Sequence, residues 1–128
     1  MIELEFKFPP SANHYWRKWN NRLVVSKEGK QYQQYVAGMI RSLGIEPITG
    51  AIAVYKIVYC PDMRRRDLDN LNKVLYDSCT KAGLWSDDSF IVFDRAEKRL
   101  DPDREGRVIL RVKQIDGGCT TKAGAWLR

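Results

Sequence analysis

The chain begins with a strict alternation of apolar and charged residues over residues 2–8, IELEFKF. This period of two is typical of a strand with one buried face, and the apolar residues that share this face are Ile2, Leu4, Phe6 and Phe8. Pro9 and Pro10 end the strand, because proline has no backbone N–H to donate. Residues 11–22 follow neither the strand nor the helix period, so we predict a loop that leads to a short strand at 23–25.

Two helices are predicted where apolar residues recur at three- and four-residue spacing. The first runs from a cap at Ser26 to about Leu43, and Gly44 provides its stop. The second covers residues 67–83, DLDNLNKVLYDSCTKAG, and closes at Gly83. Its apolar stripe comprises Leu68, Leu71, Leu75, Ser78, Cys79 and Ala82.

Three further segments are rich in β-branched and aromatic residues. Residues 51–60, AIAVYKIVYC, are predicted as the central strand. Residues 89–99 and 106–115 are predicted as an antiparallel pair joined through LDPDRE. The helices are too few for a doubly wound sheet. The pattern therefore predicts an α+β fold, with a mixed β-sheet of about four to five strands and two main helices packed on it.

The length of 128 residues fits one domain with a real hydrophobic core and is too short for two ordinary domains. We therefore expect a single domain over residues 1–116. Residues 117–128 show no periodic pattern and no run of like charge, so we expect a loosely held C-terminal tail.

The charge balance favours a polyanionic partner. The chain has 22 Lys and Arg residues against 16 Asp and Glu residues, which gives a formal net charge of +6. Such a charge is common in proteins that bind nucleic acid, although other basic proteins share it. A nucleic acid is therefore a candidate partner.

The three cysteines do not support a disulfide framework or a zinc finger. Cys60, Cys79 and Cys119 are odd in number, form no C-x-x-C pair and have only His14 as a nitrogen ligand. The first ten residues lack the apolar segment of a secretion signal, and no apolar run approaches the roughly 20 residues of a membrane span. We expect a cytoplasmic protein with no membrane segment.

Acidic residues of this basic chain are concentrated in two nearby motifs, RRRDLDNLNK at 64–73 and WSDDS at 85–89. The polar face of the second helix, opposite the leucine stripe, comprises Asp69, Asn70, Lys73 and Asp77. That face is left for solvent or for a substrate.

Carboxylates from both motifs are predicted to converge. Asp67 and Asp69 can point toward a common centre at the start of the helix. If the strand after WSDDS pairs near that point, Asp87 or Asp88 joins them. Two or three carboxylates in one cavity suit Mg²⁺, a hard ion that takes oxygen ligands and usually keeps several waters.

Such a site fits phosphodiester hydrolysis. The metal polarises the scissile phosphate and lowers the pKa of a bound water that becomes the nucleophile. Lys73, one helical turn past Asp69, can stabilise the phosphate or the leaving oxygen. Just upstream, three basic residues can clamp the flanking backbone: Arg64, Arg65 and Arg66.

Each of these residues also has a structural interpretation. Asp67 can be a helix cap, and Asp69 a favourable charge in the first turn. Lys73 can simply pair with Asp69 at i, i+4. Asp87 and Asp88 can stabilise a turn, and the arginines can be a solvated charge run. The WRKW stretch at 16–19 fits either a stacking surface for unpaired bases or core packing.

The two acidic motifs are part of a longer pattern. It reads R-R-R-D-L-D-N-L-x-K at 64–73 and D-x-x-x-K-A-G-x-W-x-D-D from Asp77 to Asp88. Weaker elements are P-P-S with Asn13, Tyr15 and Arg17 close behind, and S-x-E-G-x-x-Y from Ser26 to Tyr32. The pattern resembles the RusA type of Holliday-junction resolvase, a family of small endonucleases from bacteria and their phages.

The resemblance implies metal-binding aspartates at Asp67, Asp69 and Asp88, a catalytic lysine at Lys73, and a junction-binding role for Arg66. Members of this family act as homodimers that cut two opposing strands of a four-way junction with Mg²⁺. A two-fold dimer presents two identical sites to a substrate that is itself nearly two-fold symmetric. We therefore expect Mg²⁺ as cofactor, DNA junctions as partner, and a homodimer.

The expected activity is a Mg²⁺-dependent, structure-selective endodeoxyribonuclease that resolves Holliday junctions in DNA recombination and repair. The catalytic residues assigned are Asp67, Asp69, Lys73 and Asp88, and the DNA-binding residues are Arg17, Arg64, Arg65, Arg66 and Lys73. The alternative is a non-catalytic branched-DNA-binding module in which the aspartates merely cap a helix. A metal enzyme for small phosphoesters suits the basic flanks less well.

Overall fold

The structure, a computed structural model, describes residues 1–115 of the chain. These residues form two compact units. The sheet unit takes Met1–Phe8, Pro47–Met63 and the described residues from Trp85 onward. The helical unit takes Pro9–Glu46 and Arg64–Leu84. The C-terminal tail predicted at 117–128 lies outside the described residues, and so does Cys119.

The sheet unit contains four strands, which are β1 (Ile2–Lys7), β4 (Ile52–Cys60), β5 (Ile91–Leu100) and β6 (Arg107–Gln114). They lie in the order β1-β6-β4-β5. β6 runs antiparallel to both β1 and β4, whereas β5 runs parallel to β4. The predicted α+β class and mixed sheet are confirmed, with β4 in an interior position.

The predicted antiparallel pairing of residues 89–99 with 106–115 is wrong. β4 lies between β5 and β6 and bonds to both. Its near-continuous apolar sequence suits a strand that has no exposed residue on either face of the sheet. The chain between β4 and β5 includes a helix, and a crossover of this length allows two consecutive strands to be parallel.

One face of the sheet carries the apolar core of this unit. Its buried side chains are Leu4, Phe6, Ile52, Val54, Val58, Val108, Leu110 and Val112. The strand register brings these residues together, for example Leu4 opposite Leu110. Lys56 lies among them and is fully buried, and its Nζ atom contacts Oδ1 of Asp94 at 2.9 Å.

The opposite face of the sheet is built largely from tyrosine and arginine. The guanidinium carbon of Arg107 lies 4.5 Å from the centre of the Tyr59 ring, which is cation–π geometry. Three arginines of this face are ion-paired: Arg99 with Glu97, Arg107 with Glu5 and Arg111 with Glu3. The positive charge of this face is therefore partly neutralised within the sheet.

The helical unit contains three helices and a hairpin, which are α1 (Ala12–Tyr15), β2 (Trp16–Trp19), β3 (Arg22–Val25), α2 (Lys27–Ser42) and α3 (Leu68–Lys81). The predicted ends of the two long helices are confirmed. Ser26 accepts a hydrogen bond from the backbone N–H of Gly29 at the start of α2, and Gly44 adopts a φ of 65° after its end. No helix within residues 1–115 is long and apolar enough to cross a membrane.

The hairpin β2–β3 corrects the prediction of a loop over residues 11–22. Asn20 and Asn21 both adopt left-handed conformations, with φ of 49° and 59°. Two consecutive positive φ angles are typical of a type I′ turn, which joins antiparallel strands through two residues. Asparagine tolerates this conformation better than most residues, so the Asn-Asn pair is the local signal for the hairpin.

Candidate active site and nucleic-acid interface

The start of α3 holds the first two predicted metal ligands. Asp67 is the N-cap, and its Oδ1 atom accepts a hydrogen bond of 2.9 Å from the backbone N–H of Asp69. The capping interpretation is therefore confirmed, but capping uses only Oδ1 and leaves Oδ2 available. Asp69 is exposed in the first turn. Because Mg²⁺ is usually held by one or two carboxylates with several waters, these two exposed carboxylates fit such an ion.

Lys73 lies one turn further along α3 and is exposed. Its ammonium forms no ion pair with Asp69 or with any other carboxylate of residues 1–115. The interpretation of Lys73 as the simple i, i+4 partner of Asp69 is therefore not supported. A lysine that is left unpaired on the same helix as two exposed carboxylates is free to contact a phosphate.

Asp87 and Asp88 lie in the sheet unit, just before β5. Asp87 caps a short 3₁₀ turn formed by Asp88–Phe90, and its Oδ1 atom accepts a hydrogen bond of 2.9 Å from the backbone N–H of Ser89. That hydrogen bond holds the pKa of Asp87 below its usual range. The turn interpretation is thus confirmed for Asp87. Asp88 is exposed in the first position of the turn.

The convergence of Asp88 with Asp67 and Asp69 stays a prediction. Asp88 belongs to the sheet unit, whereas Asp67 and Asp69 belong to the helical unit. Among residues 1–115, no three His, Cys, Asp or Glu side chains stand together as a metal-binding cluster. The fit to a metal ion therefore rests on the pair at the start of α3.

The predicted basic clamp lies in the segment between β4 and α3. Arg64 and Arg65 are exposed, and Arg66 is half-buried. These three residues directly precede the Asp67 cap, so they carry positive charge to the same helix end as the two carboxylates. Their contact with DNA stays a prediction.

Arg17, the remaining predicted DNA-binding residue, lies on β2 and is exposed. It lines a concave pocket of about 440 Å³ together with Val25, Lys27, Lys30, Gln31 and Gln34. The two tryptophans of the WRKW stretch behave differently. Trp16 packs edge-on against Tyr15 with ring centres 4.6 Å apart, whereas Trp19 is 52% exposed.

The family model described as "Endodeoxyribonuclease RusA" matches residues 6–113. The chain belongs to the RusA family. The "Crossover junction endodeoxyribonuclease RusA" of Escherichia coli K12 is 40% identical over 110 residues, which cover 84% of this chain and 90% of that protein. The proteins of Enterobacteria phage 82 and Shigella sonnei are 39% and 38% identical over the same lengths.

One position of the RusA-type pattern, Asp77, has a structural role that the sequence did not reveal. The hydroxyl of Tyr15 donates to Oδ2 of Asp77 at 2.6 Å and accepts from Nε2 of Gln33 at 2.7 Å. Burial, followed by the bond to Asp77, raises the pKa of Tyr15 to about 12. The prediction of an open polar face is right for Asp69 and Lys73 and wrong for Asp77, which joins α3 to α1.

A second position of the RusA-type pattern, Gly29, is explained by close packing. A Cβ atom at Gly29 would lie 2.5 Å from the carbonyl oxygen of Tyr15 and 2.7 Å from Cγ1 of Val25. Only glycine allows the hairpin to approach the first turn of α2 this closely. The S-x-E-G motif therefore combines a helix cap at Ser26 with a packing requirement at Gly29.

Sequence reasoning missed Lys27 and Lys30 as candidate binding residues. The available signal was their i, i+3 spacing at the start of a predicted helix, a few residues after a basic segment that contains Arg17. It also missed the buried Lys56, whose only sign was a single charge within an otherwise apolar strand.

Proposed function

We propose that this chain is a Mg²⁺-dependent, structure-selective endodeoxyribonuclease that resolves four-way DNA junctions by paired phosphodiester hydrolysis. Its membership of the RusA family supports the reaction class, and the names of its relatives support crossover junctions as the substrate. The observation that carries the proposal is the exposed Lys73, which has no ion-pair partner in residues 1–115 and follows the exposed Asp69 by one turn of α3.

The chemistry can be divided among residues of this chain. Asp67, Asp69 and Asp88 would hold the Mg²⁺ ion, which when bound polarises the scissile phosphate and lowers the pKa of a coordinated water. The Lys73 ammonium stabilises negative charge that develops on the phosphate or on the leaving oxygen. Arg66 and its basic neighbours hold the flanking backbone, so the scissile bond is positioned by contacts that carry no sequence information.

The proposal includes a homodimer that acts in the bacterial cytoplasm, where chromosomal and phage DNA are processed. A four-way junction has two strands to be cut, and a two-fold dimer supplies one site for each. Symmetric cutting yields two nicked duplexes, whereas a single cut would leave the junction connected.

A labelled four-way junction, incubated with and without Mg²⁺, tests this function. We expect paired, symmetric cuts with Mg²⁺ and none without it. Asp69→Asn and Asp88→Asn should each abolish cleavage while junction binding is retained, because asparagine keeps the shape and removes the charge that holds the ion. Asp103→Asn, an exposed aspartate in the segment between β5 and β6, is the matched control and should cleave normally.

A non-catalytic branched-DNA-binding module is the alternative, in which Asp67 serves only as the cap of α3. In that case the wild-type protein binds the junction but gives no product at any Mg²⁺ concentration. Equal binding of junction and linear duplex at matched salt would instead contradict the structure-selective part of the proposal.

A further inference from the structure

The pocket between the hairpin β2–β3 and the first two turns of α2 has the composition of a phosphate site. Three of its six lining residues are cationic, namely Arg17, Lys27 and Lys30, and two are amides, Gln31 and Gln34. No acidic side chain lines it. Its volume of about 440 Å³ is large enough for a piece of sugar-phosphate backbone rather than a single small ion.

The three cations of this pocket differ from the arginines of the sheet unit. Arg99, Arg107 and Arg111 each contact a glutamate at 2.6–3.3 Å. Arg17, Lys27 and Lys30 are exposed and form no ion pair with any carboxylate of residues 1–115. Their positive charge is therefore not neutralised inside the protein and is available to a polyanion.

The pocket is held in shape by contacts that do not involve its charged side chains. Ser26 accepts a hydrogen bond from the N–H of Gly29 at 3.0 Å, and its backbone N–H donates to the carbonyl of Tyr15 at 2.8 Å. The close approach at Gly29 fixes Val25 against the first turn of α2. The pocket is therefore preformed, which reduces the entropic cost of binding.

We propose that this pocket binds phosphates of the DNA backbone other than the phosphate that is cleaved. This inference rests on the proposed function because it takes DNA as the partner. Cations and amides without any carboxylate recognise phosphate oxygens and not base edges, so the contact carries no sequence information. The exposed Lys18 and Arg22 of the same hairpin extend the positive surface beyond the pocket. The partial positive charge at the start of α2 acts in the same direction.

The double variant Lys27→Gln/Lys30→Gln tests the pocket, with Lys81→Gln/Lys113→Gln as matched control. Both variants remove two exposed positive charges, so they lower the net charge equally. Binding to a four-way junction is measured over a series of salt concentrations, without Mg²⁺. We expect the pocket variant to bind roughly 10- to 100-fold more weakly near 0.1 M salt. Each phosphate contact steepens the fall of log K with log salt by about 0.9, and the variant loses two such contacts.

The magnitude of this slope should decrease by about two for the pocket variant and stay near the wild-type value for the control. Cleavage by saturating enzyme with Mg²⁺ should remain near wild type, so the loss appears in KM and not in kcat. Lys27→Arg/Lys30→Arg, which restores the charge, should recover binding. Because the arginine variant changes the same two positions and keeps their charge, it also distinguishes a loss of charge from a defect in folding.

Equal binding by the pocket variant and the control would overturn the inference, and so would a failure of the arginine variant to recover binding in a folded protein. A wild-type protein that binds the junction but does not cleave it contradicts the proposed nuclease and leaves the pocket test intact. A folded wild-type protein with no measurable affinity for DNA contradicts both.

Discussion

The Nζ atom of Lys56 lies 2.9 Å from Oδ1 of Asp94, and the lysine side chain is fully buried while that of the aspartate is 38% exposed. Lys56 lies on the apolar face of the sheet, beside Val54 and Val58 along β4. A buried ammonium is costly unless it is paired, and the attraction within such a pair often only offsets the cost of desolvation.

We therefore expect opposite results from the two partners of this pair. Asp94→Asn should lower the free energy of unfolding by about 2–3 kcal/mol, because it leaves a buried charge with a weaker acceptor. Lys56→Met should stay within about 1 kcal/mol of wild type, because methionine suits the apolar face. Urea denaturation measures both, and a Lys56→Met variant far less stable than Asp94→Asn would contradict this view.

Two glycines of α2 give a second prediction. Gly29→Ala should destabilise the protein by about 1–3 kcal/mol, because the added Cβ would lie 2.5 Å from a backbone oxygen that cannot simply move away. Gly38→Ala is the control on the same helix, with nothing within 4 Å of the new Cβ, and it should stabilise by up to about 1 kcal/mol. Thermal unfolding of the two variants checks the difference in sign.

The segment between β5 and β6 should become unstable in acid through Asp101. This buried carboxylate accepts backbone hydrogen bonds from Gly106 at 2.9 Å and from Asp103 at 3.1 Å. These bonds, chiefly the one from Gly106, hold the pKa of Asp101 below its usual range. The lowered pKa of this carboxylate stabilises the folded protein at neutral pH. This stabilisation is lost as the pH falls from about 4, the usual pKa of an unfolded aspartate, through the lower pKa of the folded state.

The pH dependence of Asp101→Asn provides the comparison. This variant should melt a few degrees below wild type at pH 7, and its stability should fall less steeply between about pH 4 and pH 2. Thermal unfolding across that range is the measurement. Parallel curves for the two proteins would show that Asp101 does not contribute to the acid sensitivity.

Lys73 gives a prediction on catalysis. Lys73→Gln should lower kcat for junction cleavage by roughly 10²- to 10³-fold, because it removes a cation that acts on charge developed in the transition state. Lys81→Gln, on the last turn of the same helix, should cleave normally. Single-turnover cleavage with saturating enzyme separates this effect from binding, and equal rates for the two variants would remove Lys73 from the catalytic residues.

The parts of the fold that depend on local signals could be predicted from the sequence. Ser26, Gly44 and Gly83 mark helix ends because capping and positive φ are properties of a few adjacent residues. The Asn20-Asn21 turn is also a local signal, although the polar and aromatic residues on either side of it lack the strand period. The closeness of Asp67 and Asp69 at the start of α3 is likewise a local property, because the two residues are two positions apart.

The parts that were missed depend on residues far apart in the chain. Tyr15 and Asp77 are 62 positions apart, and nothing near Asp77 shows that it faces another helix. The order of the strands in the sheet also depends on distant residues, because the periodicity of β5 does not show which strand it pairs with. The pocket at Lys27 and Lys30 exists only because the hairpin packs onto Gly29, so its residues look like ordinary surface lysines in the sequence.

The position of β1 at the sheet edge has a consequence for biosynthesis. β1 bonds only to β6 in the described sheet, so β1 has no partner until Arg107–Gln114 have also been synthesised. Such long-range pairing slows folding and exposes an unpaired, half-apolar strand in the meantime. Truncated chains that stop before Arg107 should therefore aggregate during translation, whereas chains that include Gln114 can complete the sheet.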